Sequence, residues 1–165
     1  MIRSKPEIAV TVERKTLPEQ HYLYVERETA MDGAAIAAAM GSGFGEVHGF
    51  VQAQNITPLA MPSAIYTAFP KDGKMTFRAA FFVGADDAAK AEGAVKAASI
   101  PAGDVATATH VGSYMTLSET HQKVWAHMDA EGWAKGALIW ETYVDDPTLV
   151  PEAEVRTDVS RTIDD

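Results

Sequence analysis

Gly136-Ala137-Leu138-Ile139-Trp140-Glu141-Thr142-Tyr143-Val144-Asp145-Asp146-Pro147 decides how the rest of the chain is read. Its branched and aromatic residues, opened by Gly and closed by Asp-Asp-Pro, predict a strand running into a turn. Alternation puts Ile139, Glu141 and Tyr143 on one face and Leu138, Trp140, Thr142 and Val144 on the other. Glu141 therefore shares a face with apolar groups. Two readings are open: a solvated sheet face, or a buried carboxylate. A buried carboxylate without partners would sooner take up a proton, so the second reading requires donors or a cation. Tyr143, two residues along the same face, is one candidate; an Arg or a bound ligand is another.

Working outward, Val105–Val111 and residues 155–163 read as strands, and residues 118–131 as a helix. Thr116-Leu117-Ser118-Glu119 fits a capping box, Leu117, His121, Val124 and Met128 mark the helix's buried stripe, Trp125 widens it, and Gly132 ends it. The first half runs in the same order. Strands are expected at about 7–15 and 21–26, interrupted by Leu17-Pro18-Glu19. A helix over 31–55 is carried by Ile36, Met40, Phe44, Val47 and Val51. Residues 63–69 and 75–83 then form a hairpin around Pro70-Lys71-Asp72-Gly73. Residues 84–99, rich in Ala, read as a surface connection between the halves.

The repeat is numerical as well. Pro70 and Pro147, Tyr66 and Tyr143, and Ala64 and Glu141 each lie 77 positions apart, and Arg78 and Arg156 follow with one inserted residue. The expected fold is α+β: two β-α-β-β modules related by a pseudo-two-fold axis, an antiparallel sheet, two long helices on one face, and a ligand groove between them. A single domain over residues 1–165 is expected, with repeats at about 6–84 and 99–164.

Beside the apolar stripe of the first helix, Gly41, Gly45 and Gly49 recur every four residues, at about 1 kcal/mol each relative to Ala. Either that face leaves room for a ligand or a close backbone, or the helix is broken around Gly41-Ser42-Gly43. His48 lies between the two stripes and would face a cleft or mark a boundary.

Composition excludes several classes of function. With 165 residues, 47% hydrophobic and 22% charged, the chain can bury a core. A net charge of −9 opposes a phosphate backbone, so nucleic acid is not an expected partner. No signal-like or membrane-spanning apolar run is present, which predicts a cytoplasmic protein without membrane association. The absence of Cys excludes disulfides, thiolate nucleophiles and Cys-bound zinc. The five His show no metal-ligand spacing, Gly41-Ser42-Gly43-Phe44-Gly45 lacks a phosphate-loop ending, and no cofactor is expected.

Several motifs, in this order and spacing, give the chain a resemblance to the GyrI-like small-molecule-binding family, which also supplies effector-binding domains of AraC-type and multidrug-responsive regulators. They are Leu17-Pro18, Ile100-Pro101-Ala102-Gly103, His110-Val111-Gly112-Ser113-Tyr114, Trp140-Glu141-Thr142-Tyr143 with Asp146-Pro147, and Arg156-Thr157-Asp158. The likeness covers nearly the whole chain. It implies two modules around a groove, with Glu141 matching the carboxylate that members use for cationic aromatic ligands. The chain departs from the pattern in lacking a basic helix-turn-helix stretch, so direct DNA binding is not expected, and in ending Val159-Ser160-Arg161-Thr162-Ile163 rather than in an apolar-proline strand.

The candidate ligand-binding residues are Glu141, Tyr143, Tyr66, His48, Gly45, Phe44 and Ile139, with Trp140 expected to pack on the opposite side. The leading expectation is capture of hydrophobic, cationic or aromatic small molecules. The alternatives are a hydrolase of electrophilic small molecules, with Glu141 and Tyr143 as its acid–base groups, and a protein inhibitor of DNA gyrase. A separate regulator is a further expected partner.

Overall fold

The structure is a computed structural model that describes residues 10–164. Among the described residues eight strands form one sheet: β1 Glu13–Leu17, β2 Gln20–Ala30, β3 Ser63–Tyr66, β4 Lys74–Val83, β5 Lys96–Ile100, β6 Gly103–Val111, β7 Lys135–Tyr143 and β8 Arg156–Ile163. Helices α1 Gly33–Ala53 and α3 Leu117–Glu131 are long, and α2 Ala85–Ala88 is a single turn. All pairings are antiparallel, in the order β1-β6-β8-β7-β3-β4-β2-β5. The halves β2-α1-β3-β4 and β6-α3-β7-β8 occupy mirrored places in that order and meet at β3–β7. Ala64 lies directly opposite Glu141 there, so the two positions 77 residues apart in sequence face each other across the pseudo-axis.

The links between modules determine the sheet's shape. β1 and β2 stand six strand spacings apart in the pairing order, roughly 29 Å if the sheet were flat. Only Pro18 and Glu19 join them, a reach of roughly 10 Å. Pro101 and Ala102 impose the same restriction between β5 and β6. The sheet therefore curls until its ends meet, and each module's leading strand pairs with the other module. The inner face closes on Tyr22, Ile65, Phe82, Ile100, Val105 and Trp140. The outer face carries both long helices: α1 through Val47 and Val51 over Val25, Ala79 and Phe81, and α3 through Val124 and Met128 over Ala106, Ala108 and Val159.

Local chemistry explains the helix ends. Asp32 caps α1, its carboxylate accepting from Ala35 N at 2.9 Å. The helix then runs unbroken through Gly41-Ser42-Gly43, which removes the broken-helix alternative. A Cβ at Gly43 would lie 2.8 Å from Ala79 Cβ, so glycine is needed there to let α1 rest on β4. The expected capping box does not form. Thr116 makes no cap; its hydroxyl donates to Ser113 O, while Ser113 Oγ accepts from Met115 N in a 3-10 turn preceding α3. Gly132 ends α3 in the left-handed region, at φ 73°.

Other bounds shift for tertiary reasons. The first strand is 13–17 rather than 7–15, set by pairing with β6; residues 7–9 of that expectation lie outside the described residues. β2 continues to Ala30, past 26, because β4 pairs with it that far. β3 stops at Tyr66 rather than Phe69, whose ring leaves the sheet to meet Trp125 edge-on at 6.1 Å. Residues 84–99 contain α2 and β5. Register also replaces one repeat equivalence: Arg78 lies opposite Ile65 and Asp158 opposite Thr142, so Asp158, not Arg156, is the counterpart of Arg78.

Candidate functional site

The two long helices and the β3–β7 seam enclose a groove of about 970 Å³. Gly33, Ile36, Ala37, Met40 and Phe44 of α1 form one wall; Leu117, Ser118, His121, Gln122 and Trp125 of α3 form the other. Tyr66, Ile139, Glu141 and Tyr143 make the floor, and Phe69, Tyr114 and Met115 stand at the rim. Five of the chain's seven methionines, at 31, 40, 61, 75 and 115, line it. Unbranched thioethers repack readily, so this lining can adapt to ligands of different outline. Among the described lining residues there is no Lys or Arg, whereas Glu141, Asp145 and Asp146 are all carboxylates.

Glu141 is 7% exposed, a burial at which an ionised carboxylate needs donors for its lone pairs. Three side chains supply them. Tyr143 OH donates to Oε2 at 2.8 Å, Tyr66 OH reaches the same oxygen at a longer 3.4 Å, and His121 Nε2 lies 2.9 Å from Oε1. A carboxylate accepts only, so the proton of that last contact sits on Nε2. Burial, and after it the adjacent Glu141 charge, pushes the Tyr66 and Tyr143 phenols well above their usual 10. Both remain neutral donors at any physiological pH. Phe44 and Tyr114 each pack edge-on against Tyr143, at 5.9 and 5.6 Å between ring centroids, and fix its ring.

The acidic end of the groove is ordered from outside. The Arg156 guanidinium grips Asp145 through two 2.9 Å bonds, and its backbone N–H donates at 3.0 Å, which lowers the carboxyl's pKa. Hydrogen bonds from Thr148 lower that of Asp146. Burial and these two charges, Asp146 first, raise the Tyr114 phenol.

Of the residues singled out from sequence, the structure brings Glu141, Tyr143, Tyr66, Phe44 and Ile139 together around one floor. Trp140 points the other way, into the inner core. Gly45 and His48 are not part of this group. Gly45 is exposed with nothing within 4 Å of a would-be Cβ, and His48 is exposed with its ring stacked on Phe81 at 6.0 Å. The glycine stripe thus borders open space, because α1 is rolled so that Met40 and Phe44 face the groove. The residue sequence reasoning missed is His121, taken for an ordinary member of the buried stripe of α3. A signal was present: an ionisable group on an otherwise apolar stripe, 77 positions after Phe44. Among the described residues no three His, Cys, Asp or Glu are grouped to hold a metal, and no helix is long and apolar enough to cross a membrane.

Comparisons with known proteins bear on the family and the fold. A family model, the GyrI-like small molecule binding domain, matches residues 11–160. No curated protein matches the chain. Among solved structures, the C-terminal domain of EcmrR is 19% identical over 95% of this chain and 99% of its own, with a TM-score of 0.80. A hydrolase from Listeria innocua is 14% identical over 93% and 91%, at 0.65. SAV2435, bound to tetraphenylphosphonium, is 12% identical over 95% and 94%, at 0.59. At such identities these likenesses concern the fold.

Proposed function

The chain belongs to the GyrI-like small-molecule-binding family, and from that premise we propose that its groove captures hydrophobic aromatic cations, with Glu141 as the counter-charge. The observation that carries this reading is the composition of the groove: a buried carboxylate, two further carboxylates at one end, and no Lys or Arg along an otherwise apolar and aromatic lining. Glu141's donors are two neutral phenols and an imidazole. None is a permanent cation, so a charged ligand gains Coulombic attraction in a poorly hydrated site while its rings meet Phe44, Tyr114, Tyr143 and Trp125. Tetraphenylphosphonium, seen bound to the structural neighbour SAV2435, is a suitable probe of this chemistry.

The test compares tetraphenylphosphonium with neutral triphenylphosphine oxide by isothermal titration, on the native protein and on Glu141→Gln. The variant keeps the shape and removes the charge. Cation binding is expected to weaken by roughly 3 kcal/mol, the scale of two unit charges about 6 Å apart at an effective dielectric constant of about 20, and neutral binding by much less. Equal losses for the two probes would overturn the reading.

A second reading rests on the 2.9 Å contact between His121 and Glu141. A carboxylate beside an imidazole and two phenols is an arrangement that can position water and move protons for hydrolysis of an electrophilic ligand. Recovery of a bound electrophile unchanged after long incubation would remove it.

A further inference from the structure

Resting on the cation-capture reading, we infer that the groove exchanges a proton for its ligand: protonated His121 is the resident counter-ion of Glu141, and a cation is taken up as His121 gives up its proton. In acid, the imidazolium and Glu141 form a salt bridge across 2.9 Å, both side chains nearly enclosed. The carboxylate is then already neutralised by a cation of the protein's own. A second positive charge arriving beside it meets repulsion in a site where little water screens it. When the imidazole loses a proton, Nε2–H still donates to Glu141 Oε1 and the geometry is preserved. The net negative charge that a cation seeks then returns to the groove.

The proton that leaves is the one on Nδ1. Among the described residues the ring's bond to Glu141 is made through Nε2, so loss of the Nδ1 proton leaves that bond in place.

The other groups around His121 do not share this role. Tyr66 on β3 and Tyr143 on β7 have phenols held well above 10 and stay neutral; Tyr114, before α3, is also raised. Asp145 and Asp146 are lowered and stay charged. Arg161 on β8 stacks on Trp125, the ring beside His121, and donates to Gly136 O; an arginine keeps its charge throughout. On β6, His110 is tied through Nδ1 to Thr120 Oγ1, the residue before His121, and through Nε2 to Ser113 O, so it is held in its own pair of bonds. No charged residue of α1 lines the groove. The pair His121–Glu141 remains, and replacement of His121 separates its two members.

The experiment is titration of tetraphenylphosphonium and of triphenylphosphine oxide at pH 5.5 and 7.5, on the native protein and on His121→Gln. Glutamine can still donate to Glu141 but carries no proton to exchange. For the native protein, cation affinity should rise several-fold from pH 5.5 to 7.5, while affinity for the neutral probe stays level. In His121→Gln the cation's pH dependence should disappear and its affinity at pH 5.5 should reach the native value at pH 7.5. A pH dependence that persists in the variant would assign the proton to Glu141 and overturn the inference. So would a native affinity that does not change with pH, although cation capture itself would stand. If the cation binds at neither pH, the underlying reading fails instead. Should the variant not fold, titration of the His121 ring by NMR, with and without the cation, decides the same point: saturating ligand must shift its protonation to lower pH, and an unmoved midpoint overturns the proposal.

Discussion

The two modules share a scaffold and differ in what they place on it. The buried positions Gly43, Val47 and Val51 of α1 recur 77 residues on as Thr120, Val124 and Met128 of α3. At that offset Ala64 becomes Glu141, Phe44 becomes His121, Gly45 becomes Gln122 and His48 becomes Trp125. The first module offers the groove apolar surface, and the second supplies the carboxylate, the imidazole and the amide. Backbone symmetry creates the cleft, and breaking the symmetry in the side chains gives it one charged centre instead of two. The reason is electrostatic. Ala64 and Glu141 are directly opposed on one sheet face, where Cβ atoms stand about 5 Å apart, and two buried carboxylates there would not both ionise.

Each difference can be erased by moving the second module's residue into the first. The largest effect is expected from Ala64→Glu. Ala64 is fully buried, and a new carboxylate would face Glu141 with no cation to neutralise it. A loss of about 3–5 kcal/mol is expected from urea unfolding at pH 7, the scale of an uncompensated buried charge, with partial recovery at low pH as one carboxyl takes up a proton. A variant as stable as the parent would mean that the two modules are electrostatically interchangeable.

Next comes Gly43→Thr, which gives α1 the residue of α3. In α3 the hydroxyl of Thr120 has room to bond His110 at 2.6 Å, whereas a Cβ at position 43 would meet Ala79 at 2.8 Å. Overpacking of this kind costs about 1–3 kcal/mol. A melting temperature at or above the parent's would show that contact between position 43 and Ala79 does not limit how closely α1 rests on β4.

The floor contains a tyrosine from each module, 77 positions apart, and alkaline pH tests them together. In the folded chain both phenols are raised above the unfolded value of 10. Their contribution to stability is therefore complete below pH 10 and is lost as pH rises through the folded values, because only the unfolded chain has released its protons. The expected slope above pH 10 is on the order of 1 kcal/mol per pH unit and per tyrosine. Tyr143→Phe should remove one tyrosine's share of it, with Tyr22 and Tyr114, also raised by burial, adding to what remains. A variant with an undiminished slope would point to other tyrosines.

Much of this was legible in the chain. Alternation through Ile139, Trp140 and Glu141 assigned each to the correct face, and the four-residue recurrence of Ile36, Met40 and Phe44 placed α1 and its buried side. Such patterns carry local periodicity, and periodicity says which side of an element is apolar without saying what lies over it. The glycine stripe by itself suggests a face kept open for a ligand or a close backbone, yet the rotation of α1 about its axis is set at Gly43 by contact with Ala79, 36 residues away in sequence. Thr116 had the sequence of a cap, but its hydroxyl is drawn to Ser113 by the turn before α3. His121 looked like core because its partner, Glu141, is reached only when β7 is laid against α3.

The smallest effect concerns Gly45 and tests whether the groove is offset toward the second module. Gly45 and Gln122 are equivalent by the 77-residue offset, yet Gln122 lines the groove and Gly45 faces open space. Gly45→Gln should therefore stabilise the protein by up to about 1 kcal/mol, since glutamine is the better helix former and nothing obstructs it. Cation affinity should stay the same. Gln122→Gly is expected to be the reverse image: a comparable loss of helix stability, together with a change in affinity because a groove wall has been removed. Thermal melts and titrations on the two variants separate the possibilities. If Gly45→Gln weakens binding as much as Gln122→Gly does, the cleft is used symmetrically and the ligand lies across the pseudo-axis; if only Gln122→Gly does, the ligand lies against α3, beside His121 and Trp125.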